Sequence, residues 1–290
     1  MKIGIHGKEF DDQSAIIIQQ LLHYLVDKNA EVFLSNGYDV ILKESSVEFT
    51  TYSIYNPDTL STLDALITLG GDGTLLDVVS QIGALETPIL GINMGRLGFL
   101  ATTSKEDVLQ AVDLLFEGNY EFDERILLRL ETESNAFGQK NFALNDVTVL
   151  KKDTSSMIVV HTYINGNFLN SYWADGLIIS TPTGSTGYSL SCGGPLVLPQ
   201  SSNFILTPVS PHNLTARPMV LADDSEIILK IGGRSDTVLL SLDSRHETVE
   251  AGVELKIVKE KFMARLIKLP NNQIFDTLRQ KLNWGIDIRN

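Results

Sequence analysis

The stretch Leu66-Ile67-Thr68-Leu69-Gly70-Gly71-Asp72-Gly73-Thr74-Leu75-Leu76 prescribes a strand that gives way to a helix through a glycine turn. The apolar run reads as a strand from Leu63 to Leu69, and from Thr74 to Ile82 the apolar residues take helical spacing. Glycines at such a turn allow φ > 0 and let a ligand come close to the backbone. The N–H groups at the start of the following helix suit phosphate. Asp72 sits awkwardly in a pure phosphate cradle, because a carboxylate repels phosphate. These residues alone leave two readings open. One is a tight turn with Asp72 as a solvated residue or cap. The other is a site in which Asp72 accepts a proton or faces a metal-bound phosphate.

The chain before and after this turn repeats the strand-to-helix rhythm. Residues 2–7 read as a buried strand. Asp11-Asp12-Gln13-Ser14 caps a helix whose apolar face runs through Ile16-Ile17, Gln20-Leu21 and Tyr24-Leu25. Glu31–Leu34 is a second strand, 36–62 a short helix and a loop, and Pro88–Ile92 a further strand. Ser104-Lys105-Glu106-Asp107 has the form of a capping box opening a helix that runs to about Glu117. Strands alternating with helices predict an α/β domain with a mostly parallel sheet, whose ligands bind at the carboxyl ends of the strands. The Gly70–Thr74 loop and the loop after Ile92 both lie at such ends.

Near residue 120 the pattern changes to alternating segments, among them Ile126–Leu130, Ala143–Leu150, Met157–Ile164, Ile227–Ile231, Val238–Leu242, Val253–Val258 and Phe262–Leu269. Asn165-Gly166 is a two-residue hairpin signal. This half is predicted all-β, as packed sheets. The tail from Gln273 to Trp284 returns to helix, with Ile274, Phe275, Leu278 and Leu282 on one face. The 290 residues suit about two domains. The expected division is 1–120 as the α/β domain, 121–270 as a β-rich dinucleotide-binding domain, and 271–290 as a helical tail packing on the first domain or on a neighbouring subunit.

A net charge of −13 argues against nucleic acid or an anionic membrane as the main partner. Cys192 is the one cysteine, so no internal disulfide forms and a reducing compartment is expected. The five histidines show no metal-ligand spacing, and no metal site held by the protein is expected. No signal peptide is evident at the start and no apolar run approaches the ~20 residues of a spanning helix. The expected location is the cytoplasm.

Three further stretches carry chemistry. Between Ser180 and Ser191 seven of twelve residues are Ser or Thr, with Gly184 and Gly187 among them. Hydroxyls and free backbone N–H groups together bind sugar hydroxyls and phosphates. The flanking Leu177-Ile178-Ile179 and Pro195-Leu196-Val197-Leu198 set this loop apart from a flexible linker. Gly-x-Ser-x-Gly is absent, since Thr183 stands where the first glycine belongs, and no Walker A pattern occurs. Gly91-Ile92-Asn93-Met94-Gly95-Arg96-Leu97-Gly98-Phe99-Leu100 does not fit the Rossmann spacing. It reads equally as a closely packed strand-to-helix crossover and as a ligand loop. In Leu144-Asn145-Asp146-Val147, an amide beside a carboxylate suits ribose hydroxyls or an adenine edge, though taken alone the pair reads more readily as a β-bulge or turn.

Together these stretches resemble the NAD kinase family over nearly the whole chain, the tail Phe275-Asp276-Thr277-Leu278-Arg279 included. Gly-Gly-Asp-Gly-Thr alone is shared with lipid kinases and loosely with phosphofructokinases. The serine-threonine loop makes the resemblance specific. It implies ATP-dependent transfer of phosphate to the 2′-hydroxyl of the adenosine ribose of NAD, giving NADP, with Mg²⁺ or another divalent cation accompanying ATP. It also implies a homodimer or homotetramer in which a neighbouring subunit completes the site. By the resemblance, Asp72 is the general base and Gly73 contacts NAD. Asn145 and Asp146 match an Asn-Glu pair, and Asp175 holds the nicotinamide end. Thr186, Gly187, Tyr188, Ser189, Leu190 and Ser191 line the adenosine, with Gly70, Gly71, Thr74 and Asn93 forming the nucleotide loop. Four positions depart from the family pattern: Asp146 for Glu, Trp173 for Arg, Gly187 for Ala, and Asp243-Ser244-Arg245 for Asp-Gly-Gln, where Arg245 can reach phosphate or lie on the surface. The alternatives are a lipid or sugar kinase sharing the glycine turn, and a non-catalytic NAD(P)-binding sensor, which would need no acid at position 72.

Overall fold

Five consecutive buried residues, Ala65 to Leu69, mark a strand covered on both faces, which is how a central strand of a parallel sheet reads. In the computed structural model, which describes residues 1–152, 157–233, 236–270 and 272–283, this strand, Ala65–Gly70, runs between Lys2–Gly7 and Ile89–Asn93. Both pairings are parallel, with Ile5 opposite Ile67 and Ile67 opposite Leu90. The sheet continues outward through Glu31–Leu34 to Ser53–Ile54 on one side, and through Ala264–Lys268 to Glu121–Arg125 on the other. Gly70 and Asn93 are register partners, so the loops that follow them leave the sheet side by side.

The chain forms two compact units, Met1–Glu124 with Ala264–Asn290, and Arg125–Met263. The β-rich domain is expected to run to 270, and the compact second unit ends at Met263. Apolar alternation does not say which sheet a strand joins. Leu266 pairs in parallel with Ile89, and Ile267 and Leu269 complete the core of the first unit. Arg265 meanwhile reaches Glu86 and Glu124 at 3.2 and 3.3 Å.

Helix Asp12–Asp27 is capped by the Asp11 carboxylate, which accepts the Ser14 N–H at 2.8 Å. That cap fixes the helix phase, and Ala15, Ile18, Leu21, Leu22 and Leu25 face the core while Ile16 is 62% exposed. Of the expected face, Leu21 and Leu25 are buried and Ile17 and Tyr24 pack against the core, whereas Ile16 and Gln20 are exposed. Residues 36–62 form helix Asn36–Lys43, the Ser53–Ile54 strand and a single helical turn, Pro57–Leu60. Ser104 does not build a capping box. Its hydroxyl donates to the Asp107 carboxylate at 2.9 Å, Lys105–Asp107 forms a 3₁₀ turn, and the α-helix begins at Val108.

The second unit is two six-stranded antiparallel sheets around one apolar core. Asn165 and Gly166, at φ of 50° and 79°, make the expected two-residue turn between Ile158–Ile164 and Asn167–Ala174. In the other sheet, Asp146–Lys151 lies between Gly176–Ser180 and Thr237–Leu242. Helix Ile274–Leu282 belongs to the first unit. Its buried residue is Thr277; of the expected apolar face Ile274, Leu278 and Leu282 are half-buried and Phe275 is 53% exposed. Trp284, expected at the end of this helix, lies outside the described residues. Among the described residues no helix is long and apolar enough to cross a membrane.

Candidate functional site

In the first unit the site is built on Asp72. It opens helix Asp72–Ile82, where an acidic side chain complements the positive end of the helix dipole. Its carboxylate accepts three backbone N–H groups, from Phe99 at 2.9 Å, Leu100 at 3.0 Å and Ala101 at 3.1 Å. The stretch that read equally as crossover or ligand loop is thus a seat for the acid. Gly98 is required there. A Cβ at Gly98 would stand 2.8 Å from the carboxyl carbon of Asp72 and nearer still to Oδ1.

Three glycines of the turn divide by role. A Cβ on Gly70 would strike the Thr74 side chain, with Thr74 Cβ at 2.8 Å, so Gly70 exists for packing. Gly71 and Gly73 have nothing within 4 Å of a built Cβ and face open space. Asn93 is buried, and its side chain shapes its own loop. Nδ2 donates to the carbonyls of Arg96 and Ala101, and Oδ1 accepts the Gly95 N–H at 2.7 Å.

In the second unit, the hydroxyl-rich loop folds as two short turns, Thr183–Thr186 and Tyr188–Ser191, directly after strand Gly176–Ser180. Its hydroxyls act in two ways. Thr181, Ser185 and Ser189 are buried and hold the loop: Thr181 donates to the Leu144 carbonyl at 2.6 Å, Ser185 bonds Val197 at 3.1 Å, and Ser189 pairs with Thr207 at 2.8 Å. Thr186 and Ser191 keep exposure. Thr186 donates to the Thr183 carbonyl at 3.2 Å, Tyr188 is 41% exposed, and Gly187 and Leu190 are half-buried. Gly184 packs on the backbone of Asn145; a Cβ would lie 2.6 Å from its carbonyl carbon.

Asn145 therefore sits under this loop, and its Oδ1 is buried without a hydrogen-bond partner. Buried polar atoms ordinarily have a hydrogen-bond partner, and this oxygen is an acceptor with its capacity free. Asp146, next along, accepts the Thr148 hydroxyl at 2.8 Å. Burial pushes its carboxyl up to about 7, offset by the Thr148 bond and reinforced by the charge of Asp243. The Tyr188 phenol is raised by burial, then by Cys192, Asp146 and Asp175 nearby, which brings these groups into one neighbourhood. Asp175 makes an ion pair with Lys151 at 2.6 Å.

The role of Asp243, noted in the sequence only as part of Asp243-Ser244-Arg245, is what sequence reasoning missed. Asp243 begins the two-residue turn Asp243-Ser244 between strands Thr237–Leu242 and Arg245–Glu250, at φ 53°. Its carboxylate accepts the N–H groups of Leu144, Asn145 and Asp146 at 2.9, 2.7 and 3.2 Å and so fixes the backbone that carries Asn145 and Asp146. Burial raises its pKa, and the three backbone bonds and Arg245 oppose the rise. The signal available was an Asp at a tight turn, which tolerates the left-handed region. The Arg245 guanidinium donates to the carbonyls of Lys140 and Phe142 and lies over the Phe142 ring. Among the described residues no three His, Cys, Asp or Glu side chains converge as a metal site.

Residues 3–120 match the family model for the ATP-NAD kinase N-terminal domain, and 144–269 that for the ATP-NAD kinase C-terminal domain. An NAD kinase of Cytophaga hutchinsonii is 48% identical over all of both chains. The fold matches a yeast NADH kinase crystallised with NADH, at a TM-score of 0.88 and 24% identity, over 100% of this chain and 89% of that one. It also matches an NAD kinase from Archaeoglobus fulgidus in complex with ATP, at a TM-score of 0.75 and 25% identity, over 98% and 99% of the two chains.

Proposed function

The chain belongs to the ATP-NAD kinase family, and from that premise we propose that it moves the terminal phosphoryl group of ATP onto the 2′-hydroxyl of the adenosine ribose of NAD, forming NADP. The observation that carries this reading is the Asp72 carboxylate, fixed by three backbone N–H groups between two glycines that face open space. An ionised carboxylate has about four acceptor positions. The three bonds aim the carboxylate and leave a position for a hydroxyl proton. The 2′-oxygen attacks the γ-phosphorus, the bond to the β,γ-bridging oxygen breaks, ADP departs, and the hydroxyl proton passes to Asp72 and then to solvent. Positioning and charge neutralisation supply most of the acceleration in phosphoryl transfer.

The unpartnered Oδ1 of Asn145 accepts a donor of the dinucleotide, and Asp146, Asp175 and residues Thr186 to Ser191 complete its binding surface. Gly70, Gly71, Gly73 and Thr74 form the turn against which the nucleotide rests. Asn93 and Arg245 act by shaping backbone, Asn93 in the loop that seats Asp72 and Arg245 beneath residues 140–142. The divalent cation enters as part of the ATP cosubstrate, where it neutralises triphosphate charge. Assembly as a homodimer or homotetramer and a cytoplasmic location complete the proposal. They rest on the family resemblance and the acidic, cysteine-poor composition, and light scattering on the purified protein tests the first.

The test of the reaction is NADP formation by purified protein with NAD, Mg²⁺ and a panel of phosphoryl donors. Absence of NADP with every donor overturns the reading. Asp72→Asn is expected to bind NAD like the parent and to lose turnover by orders of magnitude, and near-normal turnover would remove Asp72 from the role of base.

A further inference from the structure

The proposed reaction asks an anionic triphosphate to approach a turn that carries a carboxylate. A cation stands beside that carboxylate. Lys281, near the end of helix Ile274–Leu282, places its Nζ 3.7 Å from Asp72 Oδ2. The same Nζ lies 4.9 Å from the centroid of the Phe99 ring, within the range of a cation–π contact. Phe99 therefore serves both partners: its N–H donates to Asp72 Oδ2 at 2.9 Å while its ring underlies the ammonium.

The helix that brings Lys281 here is tied to the same loop. Asn272, just before it, donates to the hydroxyls of Thr102 and Thr103 at 3.0 and 3.3 Å, directly after the Phe99–Ala101 amides that seat Asp72. At 3.7 Å the ammonium stands beside the carboxylate and not locked on it. The side chains of Lys281 and Asp72 are 34% and 29% exposed, so an incoming anion can reach them. An ammonium has three donors and can serve a second acceptor.

We propose that Lys281 is a positioning residue for phosphoryl transfer. Its ammonium is the counter-charge of Asp72, cancelling the field of the carboxylate at the glycine turn so that the donor triphosphate can enter, and holding the carboxylate on its amide seat. The proposal rests on the NAD kinase reading. An ordinary surface ion pair would contribute little to stability and would not discriminate between two substrates.

The experiment is a double-mutant cycle in the full chain with Lys281→Gln, Asp72→Asn and the pair of them, with Lys281→Arg and Lys281→Met alongside. Calorimetry reads Mg·ATP binding for all variants, and steady-state kinetics reads KM for ATP and NAD. Lys281→Gln is expected to weaken Mg·ATP binding and raise the ATP KM by about three- to tenfold and to leave the NAD KM within about twofold. Lys281→Arg restores most of the loss, and Lys281→Met, which keeps the apolar stem, does not. In the Asp72→Asn background, where the ammonium has lost the carboxylate that places it at the turn, Lys281→Gln changes Mg·ATP binding by less than about twofold. Parental ATP binding and KM in Lys281→Gln would overturn the proposal. So would an equal loss in both backgrounds, which would mean that Lys281 binds ATP independently of Asp72. Absence of NADP formation by the parent protein would sink the kinase reading instead, and the calorimetric cycle would still decide the coupling between Lys281 and Asp72.

Discussion

Gly98→Ala separates the seat of Asp72 from every other feature of the site. The added Cβ would lie 2.8 Å from Asp72 Cγ, against an ordinary contact of at least 3.4 Å. The carboxyl carbon must therefore retreat by about 0.6 Å, and Oδ1 by more. Oδ1 accepts two of the three N–H bonds, from Leu100 and Ala101, so these break first. Hydrogen bonds to a charged group contribute roughly 1.5–3 kcal/mol each. The carboxylate is 29% exposed, so water replaces part of the loss, and a stability cost of about 2–3 kcal/mol is expected. The catalytic cost is larger relative to its source, because a misplacement of about 1 Å lowers turnover by about 10²-fold. NADP formation, followed with an NADP-specific dehydrogenase, reads kcat, and thermal melting reads stability. Gly95→Ala, in the same loop with nothing within 4 Å of a built Cβ, should match the parent in both. Parental kcat in Gly98→Ala, or an equal loss in Gly95→Ala, would refute the role assigned to the loop.

Three other perturbations probe separate parts of the molecule. Gly73→Val should leave melting within a degree or two, because its Cβ meets open space, yet raise the nucleotide KM by roughly tenfold or more; a parental KM would show that no ligand crosses this glycine. Asp243→Ala should cost about 3 kcal/mol by urea unfolding, since it leaves three backbone N–H groups without an acceptor, and should weaken NAD binding; retention of both would refute the clamp. Because the Asp146 carboxyl is raised from 3.8 to about 7, the folded state favours its neutral form. The associated stability is fully present below about pH 4 and is lost as pH rises to about 7, on the order of 4 kcal/mol. Asp146→Asn should flatten the stability profile in that window, and an unchanged profile would move the titration to another group.

Much of this architecture was legible locally. The glycine turn, the alternation of strands and helices, and the Asn165-Gly166 hairpin each depend on residues close in sequence, where backbone preference and periodicity speak directly. What escaped was long-range. The donors to Asp72 are backbone amides at positions 99–101, and an amide has no signature in the sequence. Only Gly98, buried against the carboxylate, hinted at the approach. The clamp on Asn145 and Asp146 comes from Asp243, on a turn of the same sheet that no local pattern links to them. The strand Ala264–Lys268 has the alternation of its neighbours in sequence but is buried in the other unit's sheet, since periodicity sets which residues face a core and not which core.

That strand has a consequence for how the protein is made. Ala264–Lys268 is inserted between Ile89–Asn93 and Glu121–Arg125, so the sheet bearing Asp72 cannot close while a ribosome is still short of residue 264. The second unit, Arg125–Met263, is continuous in sequence and has its own core. Translation therefore delivers the later-numbered unit as the first one able to fold to completion, and leaves the earlier-synthesised strands waiting with an apolar edge uncovered. Arrest of synthesis between 125 and 263 would expose that edge to chaperones, and completing the strand would retire it.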